Sequence, residues 1–236
     1  MIQALDGVDL TLAAGATLAL VGESGSGKST LARCLARLED PDSGELWFDG
    51  ENLLRRPANL SAPRRRGIQL VFQDSATALN PRFSAAEIVE EPLLIGGVRW
   101  PEHRRRALDL MQAVGLLPEW AARRPLELSG GQRQRLAIAR ALAAEPRVLI
   151  LDEALSGLDV LVQAQILNLL LDLQTAHGLT YLHVSHDLGL MGRVADEIAV
   201  LHHGRIVERD GVEALFKNAR HPHTQDLLAA IPVWRT

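Results

Sequence analysis

Cysteine is almost absent. Cys34 is the single thiol among 236 residues, so no disulfide can close within the chain and a reducing compartment is the expected setting. Long apolar runs are missing as well: no stretch approaches the length of a membrane span, which leaves any crossing to another chain. The opening residues carry no charged leader followed by an apolar segment, so a secretory signal is not expected. Positive charge is not in excess either. Lys plus Arg number 25 against 29 Asp plus Glu, a net charge of −4, which removes any general electrostatic reason to bind nucleic acid. Internal repeats and low-complexity segments are also lacking. These absences predict a soluble, cytosolic chain. What is present is ordinary for such a chain, 47% hydrophobic and 23% charged residues, and the length suffices for one large domain or two small ones sharing a core.

Local patterns alternate between strand and helix. Thr17 to Val21 is a short apolar run ending at Gly22, a buried strand feeding a glycine-rich turn. Lys28 to Leu38 has Leu31, Leu35 and Leu38 on one face of a helix. Glu45 to Phe48 reads as a strand ending in the Asp49-Gly50 turn, and Gly67 to Phe72 as another strand. From Ser84 to Arg124 the pattern is helical, with Leu108, Met111 and Val114 as the expected stripe of Glu102 to Gly115. Arg147 to Leu151 is a buried strand. Val160 to His177 is a long helix with Val162, Ile166, Leu169 and Leu173 at helical spacing, stopped by Gly178. Thr180 to Ser185 is a strand, and Glu197 to Glu208 a hairpin turning at His203-Gly204. This alternation predicts an α/β fold, a mostly parallel sheet covered on both faces, with the helical insert as a smaller lobe. The arginine runs Arg64 to Arg66 and Arg104 to Arg106 read as solvated faces. Cys34 reads as a small packing residue.

Gly22-Glu23-Ser24-Gly25-Ser26-Gly27-Lys28-Ser29, with Thr30 following, fits the phosphate-loop pattern between a strand and a helix. Glycines let the backbone wrap closely around a phosphate and point N–H groups inward. The next helix opens with unpaired amides and a partial positive charge aimed at the same anion. Lys28 would reach the β- and γ-phosphates and Ser29 would place its hydroxyl on Mg²⁺. An ordinary Gly/Ser turn is the competing reading. Asp152-Glu153 closes a buried strand, and a carboxylate there points into the crevice where such sheets bind ligands. Asp152 would hold Mg²⁺ through water, and Glu153 would orient or deprotonate an attacking water. Taken alone the pair could equally cap a helix.

Leu128-Ser129-Gly130-Gly131-Gln132 is the most specific string. It matches the signature of ABC ATPases and lies between the phosphate loop and Asp152, in that family's order. Physically, Ser129 and the glycines open a helix over Arg133 to Ala144 whose N-terminus can receive an anion. The resemblance implies a P-loop NTPase with a RecA-like parallel-sheet core and an inserted α-helical subdomain: residues 1–73 and 141–236 as the nucleotide-binding lobe, 74–140 as the signature subdomain. It implies ATP and Mg²⁺ as cofactors. It also implies a head-to-tail pair of cassettes in which Ser129, Gly130, Gly131 and Gln132 of one close on the γ-phosphate held by the other. By the same resemblance Gln73 is the glutamine that senses Mg²⁺ and the γ-phosphate, Asp159 lies in the loop that communicates between the two sites, and His186 is the switch histidine. Lys28, Gln73, Glu153 and His186 would carry catalysis. His183, His202, His203, His221 and His223 match no family position and take no role.

Val71-Phe72-Gln73-Asp74, Leu79-Asn80-Pro81-Arg82, Asp159-Val160 with Gln163 to Leu167, and His221-Pro222-His223-Thr224 resemble the peptide/nickel importer branch. Ala154-Leu155 stands where most of that branch has Pro-Thr, which is more similar to the nickel members. The branch implies a second ATPase subunit, identical or related, two integral membrane permeases, an extracytoplasmic substrate-binding protein, and a place on the cytoplasmic face of the inner membrane. A soluble ABC ATPase working on DNA or ribosomes and a non-catalytic regulatory module are the rival readings. The first would bring coiled-coil insertions or a second cassette, the second would lack Glu153 or Lys28. Family members carry an adenine-stacking aromatic that would fall just before Met1, so the chain is expected to open inside a second strand region over Met1 to Gly7. Loss of such a stack is worth roughly 1–3 kcal/mol, so ATP binding about tenfold weaker than in an upstream-extended version is expected. A C-terminal extension beyond Trp234, present in relatives, is likewise expected to be missing.

Overall fold

β1 (Thr17–Val21) is buried along its whole length. It lies between β6 (Thr180–Ser185) and β7 (Glu197–His202), parallel to both, with Val21 opposite Ser185 on one side and Val200 on the other. Across the six-stranded sheet the order is β4 (Ile68–Val71), β5 (Val148–Asp152), β6, β1, β7, β8 (Arg205–Gly211). Strands β7 and β8 are antiparallel, joined by His203 and Gly204 at φ 46° and 77°. Positive φ at both central residues is the turn whose twist suits a two-residue hairpin. The computed structural model describes residues 3–55, 67–73 and 75–231. Met1, Ile2, the Arg64 to Arg66 run, Asp74 and Trp234, on which expectations rested, lie outside the described residues.

The chain divides into two compact units, one of residues 1–41, 150–153 and 180–236, the other of 42–149 and 154–179. In the first, Ala19 and Val21 of β1 and Ile198 and Val200 of β7 form a core with Leu188 and Met191 of α7 (Leu188–Met191) and Leu215 of α8 (Val212–Asn218). Helices are numbered in chain order, from α1 (Lys28–Leu35) to α9 (Pro222–Ala229). The helix expected to reach Leu38 stops at Leu35. Arg37 takes a left-handed φ of 60°, its N–H donates to the Cys34 carbonyl, and the Leu38 N–H donates to the Arg33 carbonyl. That pair of bonds is a Schellman stop, here without glycine. Residues 3–16 form no strand, against the expectation for the opening segment. They are tied by single bonds, such as Asp6 N–H to the Gly204 carbonyl at 2.8 Å, instead of a ladder.

The second unit holds a ribbon of β2 (Trp47–Phe48) and β3 (Glu51–Asn52), the short helix α2 (Ser75–Ala78), and the helices α3 (Ala85–Ile95), α4 (Glu102–Ala113) and α5 (Gly130–Leu142), which pack on one another, with α6 (Val160–His177). Strand β2 is shorter than the four residues expected from Glu45, whose carboxylate instead accepts from the Trp47 indole N–H. The Ser84 hydroxyl and Glu87 carboxylate cap α3 reciprocally. On α4 the buried stripe is Ala107, Met111 and Val114, at i, i+4 and i+7, so Ala107 takes the place expected for Leu108. On α6 it is Ile166, Leu167, Leu170 and Leu173, because the helix is apolar on most faces and its period underdetermines the inward one. Arg104 to Arg106 are more than a solvated face: Arg104 donates at 2.8 Å to Glu90, itself only 8% exposed, while Arg106 pairs with Glu145.

Candidate active site

The turn from β1 into α1 needs glycine where backbone crowds it. A Cβ on Gly22 would lie 2.2 Å from the Leu201 carbonyl oxygen, and one on Gly27 would lie 2.4 Å from that of Ala4. No side chain fits at either place, so the loop runs close against the backbone of residues 4 and 201. The Ser26 carbonyl accepts from Gly204 N–H at 2.9 Å, anchoring the loop's far side to the β7–β8 turn. Lys28, 5% exposed, folds back so that Nζ donates to the carbonyls of Gly22 at 2.8 Å and Glu23 at 2.7 Å. Burial holds its pKa below the ordinary lysine value, against the opposing pull of Glu153, Asp152 and Glu23. A cation under that strain gains from an arriving phosphate.

Ser29, the second residue of α1, donates its hydroxyl to Asp152 Oδ1 at 3.1 Å across to the end of β5. Burial raises the Asp152 pKa, Glu153 adds to the rise, and the Ser29 bond, Arg33 and Lys28 act against it. Two hard oxygens this close, one on a carboxylate that burial disfavours as an anion, suit a small divalent cation. Glu153 follows with φ 45°, an uncommon conformation for a residue bearing a Cβ, pinned by its N–H donating to the Val184 carbonyl at 2.9 Å. Its carboxylate Oε1 lies 3.5 Å from Nδ1 of His186, just past β6. The histidine is 61% exposed at its side chain and the glutamate 18%. Lys28, Ser29, Asp152, Glu153 and His186 all belong to the first unit, and the fold brings them close to one another. The rest of the loop, Ser24, Gly25 and Thr30 included, runs from exposed at Glu23 to Gly25 to half-buried at Thr30.

The second unit carries the other expected residues. Gln73 is exposed just beyond β4. Ser129 caps α5: its hydroxyl accepts from Gln132 N–H at 3.3 Å while its own N–H donates to Gln132 Oε1 at 2.8 Å. Gln132 thus has a local structural task. Gly130 and Gly131 lie against the start of α6, a Cβ on the latter falling 2.6 Å from Val162 Cγ1. Asp159 caps α6 by accepting from Val162 N–H at 2.9 Å. The sequence missed one cluster: His202, His203, His221 and His223 gather near Glu23, drawn from two segments with no shared spacing motif.

A buried strand, a glycine loop closing on a lysine, a helix that starts on it and a Ser–Asp oxygen pair define a P-loop nucleoside triphosphatase. A family model described as "ABC transporter" matches residues 5–156. The chain belongs to that family, and it is an ABC-type ATPase. It is 50% identical over 233 residues to the dipeptide transport ATP-binding protein DppF of Escherichia coli K12, covering 98% of this chain and 70% of that one. It is 48% identical over 236 residues to a probable peptide ABC transporter ATP-binding protein of Sinorhizobium fredii, covering 99% and 66%. Among solved structures, the dimeric cassette MJ0796 bound to ADP and Pi superimposes with a TM-score of 0.78 at 34% identity, covering 89% of this chain and 90% of that one. CbiO1 of Clostridium perfringens, part of the cbiONQ transporter complex, does so with 0.79 at 30%, covering 91% and 84%.

Proposed function

We propose that the chain is the ATP-hydrolysing subunit of a bacterial importer for peptides or nickel, working as a head-to-tail pair of cassettes on two membrane permeases fed by an extracytoplasmic binding protein. The names of the relatives, peptide importers, favour peptides within that class. The observation that carries the reading is the joining of a phosphate loop, the Ser29–Asp152 oxygen pair and the Glu153–His186 contact in a chain that also bears Leu128 to Gln132. No described helix is long and apolar enough to cross a membrane, so the chain would sit peripherally against its permeases on the cytoplasmic face. Functionally we assign 1–73 and 141–236 to nucleotide binding and 74–140 to the signature subdomain. A role on DNA or ribosomes lacks the insertions such proteins need.

Catalysis would rest on position and charge rather than covalent chemistry. Lys28 would leave the Gly22 and Glu23 carbonyls for the β- and γ-phosphates. Mg²⁺, held by Ser29 and Asp152, would supply charge neutralisation at the phosphate oxygens. Glu153 would aim water at the γ-phosphorus and take its proton, and His186 would orient both. Ser129, Gly130 and Gly131 of the partner, with Asp159, would complete the pocket. Glu153→Gln is expected to bind ATP and dimerise while turnover falls by about 10²–10⁴-fold. Wild-type specific activity is expected to drop on dilution below the dimerisation constant. Constant specific activity through that range would overturn the paired reading.

A further inference from the structure

We propose that Glu23, His202 and His223 form a site for a divalent transition-metal ion of the zinc class beside the phosphate loop. One ligand atom from each lies within 4.8 Å of the other two. The rings of His202 and His223 stack at 3.9 Å between centroids, tilted by 32°. Nδ1 of His223 is 4.0 Å from Glu23 Oε1. All three residues belong to the first unit. Sheet register explains the meeting: Val21 pairs with Val200, so Glu23 and His202, each two residues farther on, leave β1 and β7 side by side.

The other nitrogen of the His223 ring adds a second observation. His223 is 8% exposed, and its Nε2 is buried with no hydrogen-bond partner among the described residues. A buried imidazole nitrogen in that state is normally satisfied by protein, water or an ion. The main chain that carries the ring is fixed: the backbone N–H of His223 donates to Nδ1 of His221, the residue that caps α9, at 3.2 Å. Two further imidazoles stand close, His203 at 4.0 Å and His221 at 6.4 Å from the His202 ring, within reach as additional ligands.

The donor set decides the ion. Two imidazoles and one carboxylate suit zinc and its neighbours, whereas Mg²⁺ and Ca²⁺ prefer oxygen alone. Three protein ligands with one position open is a common zinc arrangement, with metal–ligand distances of about 2.0–2.2 Å. Tetrahedral geometry at those lengths puts ligand atoms roughly 3.3 Å apart, which the exposed Glu23 side chain reaches by swinging about an ångström. The site is thereby distinct from the all-oxygen pair of Ser29 and Asp152. Because Glu23 also offers its carbonyl to Lys28, an ion there would tie the phosphate loop to β7 and α9.

The test is calorimetric titration of tag-free, nucleotide-free full chain with Zn²⁺ in the presence of excess Mg²⁺. One ion per chain is expected, with affinity falling more than about tenfold in His202→Gln. X-ray absorption on the zinc-loaded wild type is expected to show imidazole nitrogens at about 2.0–2.1 Å. The absorption measurement needs no variant, so it decides the matter should His202→Gln or the more buried His223→Gln misfold. Absence of zinc binding, binding unchanged in both variants, or a shell without nitrogen would each overturn the site.

Discussion

Gly131 offers a clean way to load a known force onto the signature helix. Its hypothetical Cβ would stand 2.6 Å from Val162 Cγ1, with Val162 Cγ2 and Cβ at 3.8 and 3.9 Å. Ordinary carbon–carbon contact is about 3.5–4.0 Å, so Gly131→Ala forces an overlap of roughly 1 Å. Val162 cannot turn away cheaply, since a β-branched side chain in a helix has one strongly preferred χ1. The methyl must therefore displace the start of α5 from the start of α6, and overpacking of this kind costs about 1–3 kcal/mol. Alanine's better helix propensity recovers about 1 kcal/mol at an interior position, and less in a first turn. Urea denaturation should give a net loss near 1–2 kcal/mol for Gly131→Ala. Val162→Ala alone should also destabilise, by losing half-buried methyls, yet the double variant should be more stable than the two single losses predict. Turnover should fall in Gly131→Ala and return in the double variant if the cap geometry returns with it. Additive losses across the cycle would refute the steric account.

Three more outcomes follow from the first unit. Glu153→Asn should stabilise the fold by roughly 1 kcal/mol, because asparagine tolerates the left-handed φ that glutamate bears at a cost, while hydrolysis is abolished; a denaturation midpoint at or below wild type would count against stored strain. Asp152→Asn should also stabilise at neutral pH. The folded-state pKa of Asp152 is raised, so its favourable contribution is complete below the unfolded value near 3.8 and is lost as pH climbs through the folded value. The variant's advantage should therefore be larger at pH 8 than at pH 4, and an advantage independent of pH would dismiss the burial argument. His183, 4% exposed on β6, has its pKa lowered by burial from 6.5 to about 4. Stability from the neutral ring is present above 6.5 and lost as pH falls through about 4, up to roughly 3 kcal/mol at about 1.4 kcal/mol per pH unit. His183→Leu should flatten that acid-side loss; an unchanged slope between pH 7 and 4 would refute it.

Much of the chain was legible because local chemistry and fold demand the same residues. Strands β1 and β6 and helix α6 have the bounds their patterns give, since an apolar run bounded by glycine or by an Asp cap leaves little choice. The phosphate loop was readable from spacing alone. Glu153 needed its context: an acid after a strand is ambiguous by itself, and the expectation for it came from the phosphate loop and the family resemblance, while its left-handed φ and 3.5 Å approach to His186 had no signal in the sequence. Where apolar residues cover most of a helix, as on α6, or where an alanine competes with a leucine, as on α4, periodicity left the inward face open.

The signature string is legible for two reasons that one sequence cannot separate. Ser129 and Gln132 satisfy each other in a capping box, Gly130 and Gly131 make room for Leu158 and Val162, and Asp159 caps the helix on which Val162 sits. Every one of those residues would be favoured by local packing even if no nucleotide ever touched it. The histidine cluster shows the converse. Glu23 is separated from His202 and His223 by most of the chain and shares no motif with them; β1 and β7 run parallel in a register that pairs Val21 with Val200, which brings Glu23 to His202, and α9 supplies His223. Local pattern reveals residues whose tasks are local, and a site assembled from distant segments must be found in the fold. For that reason a zinc titration tests something that the motifs of the family could not have supplied.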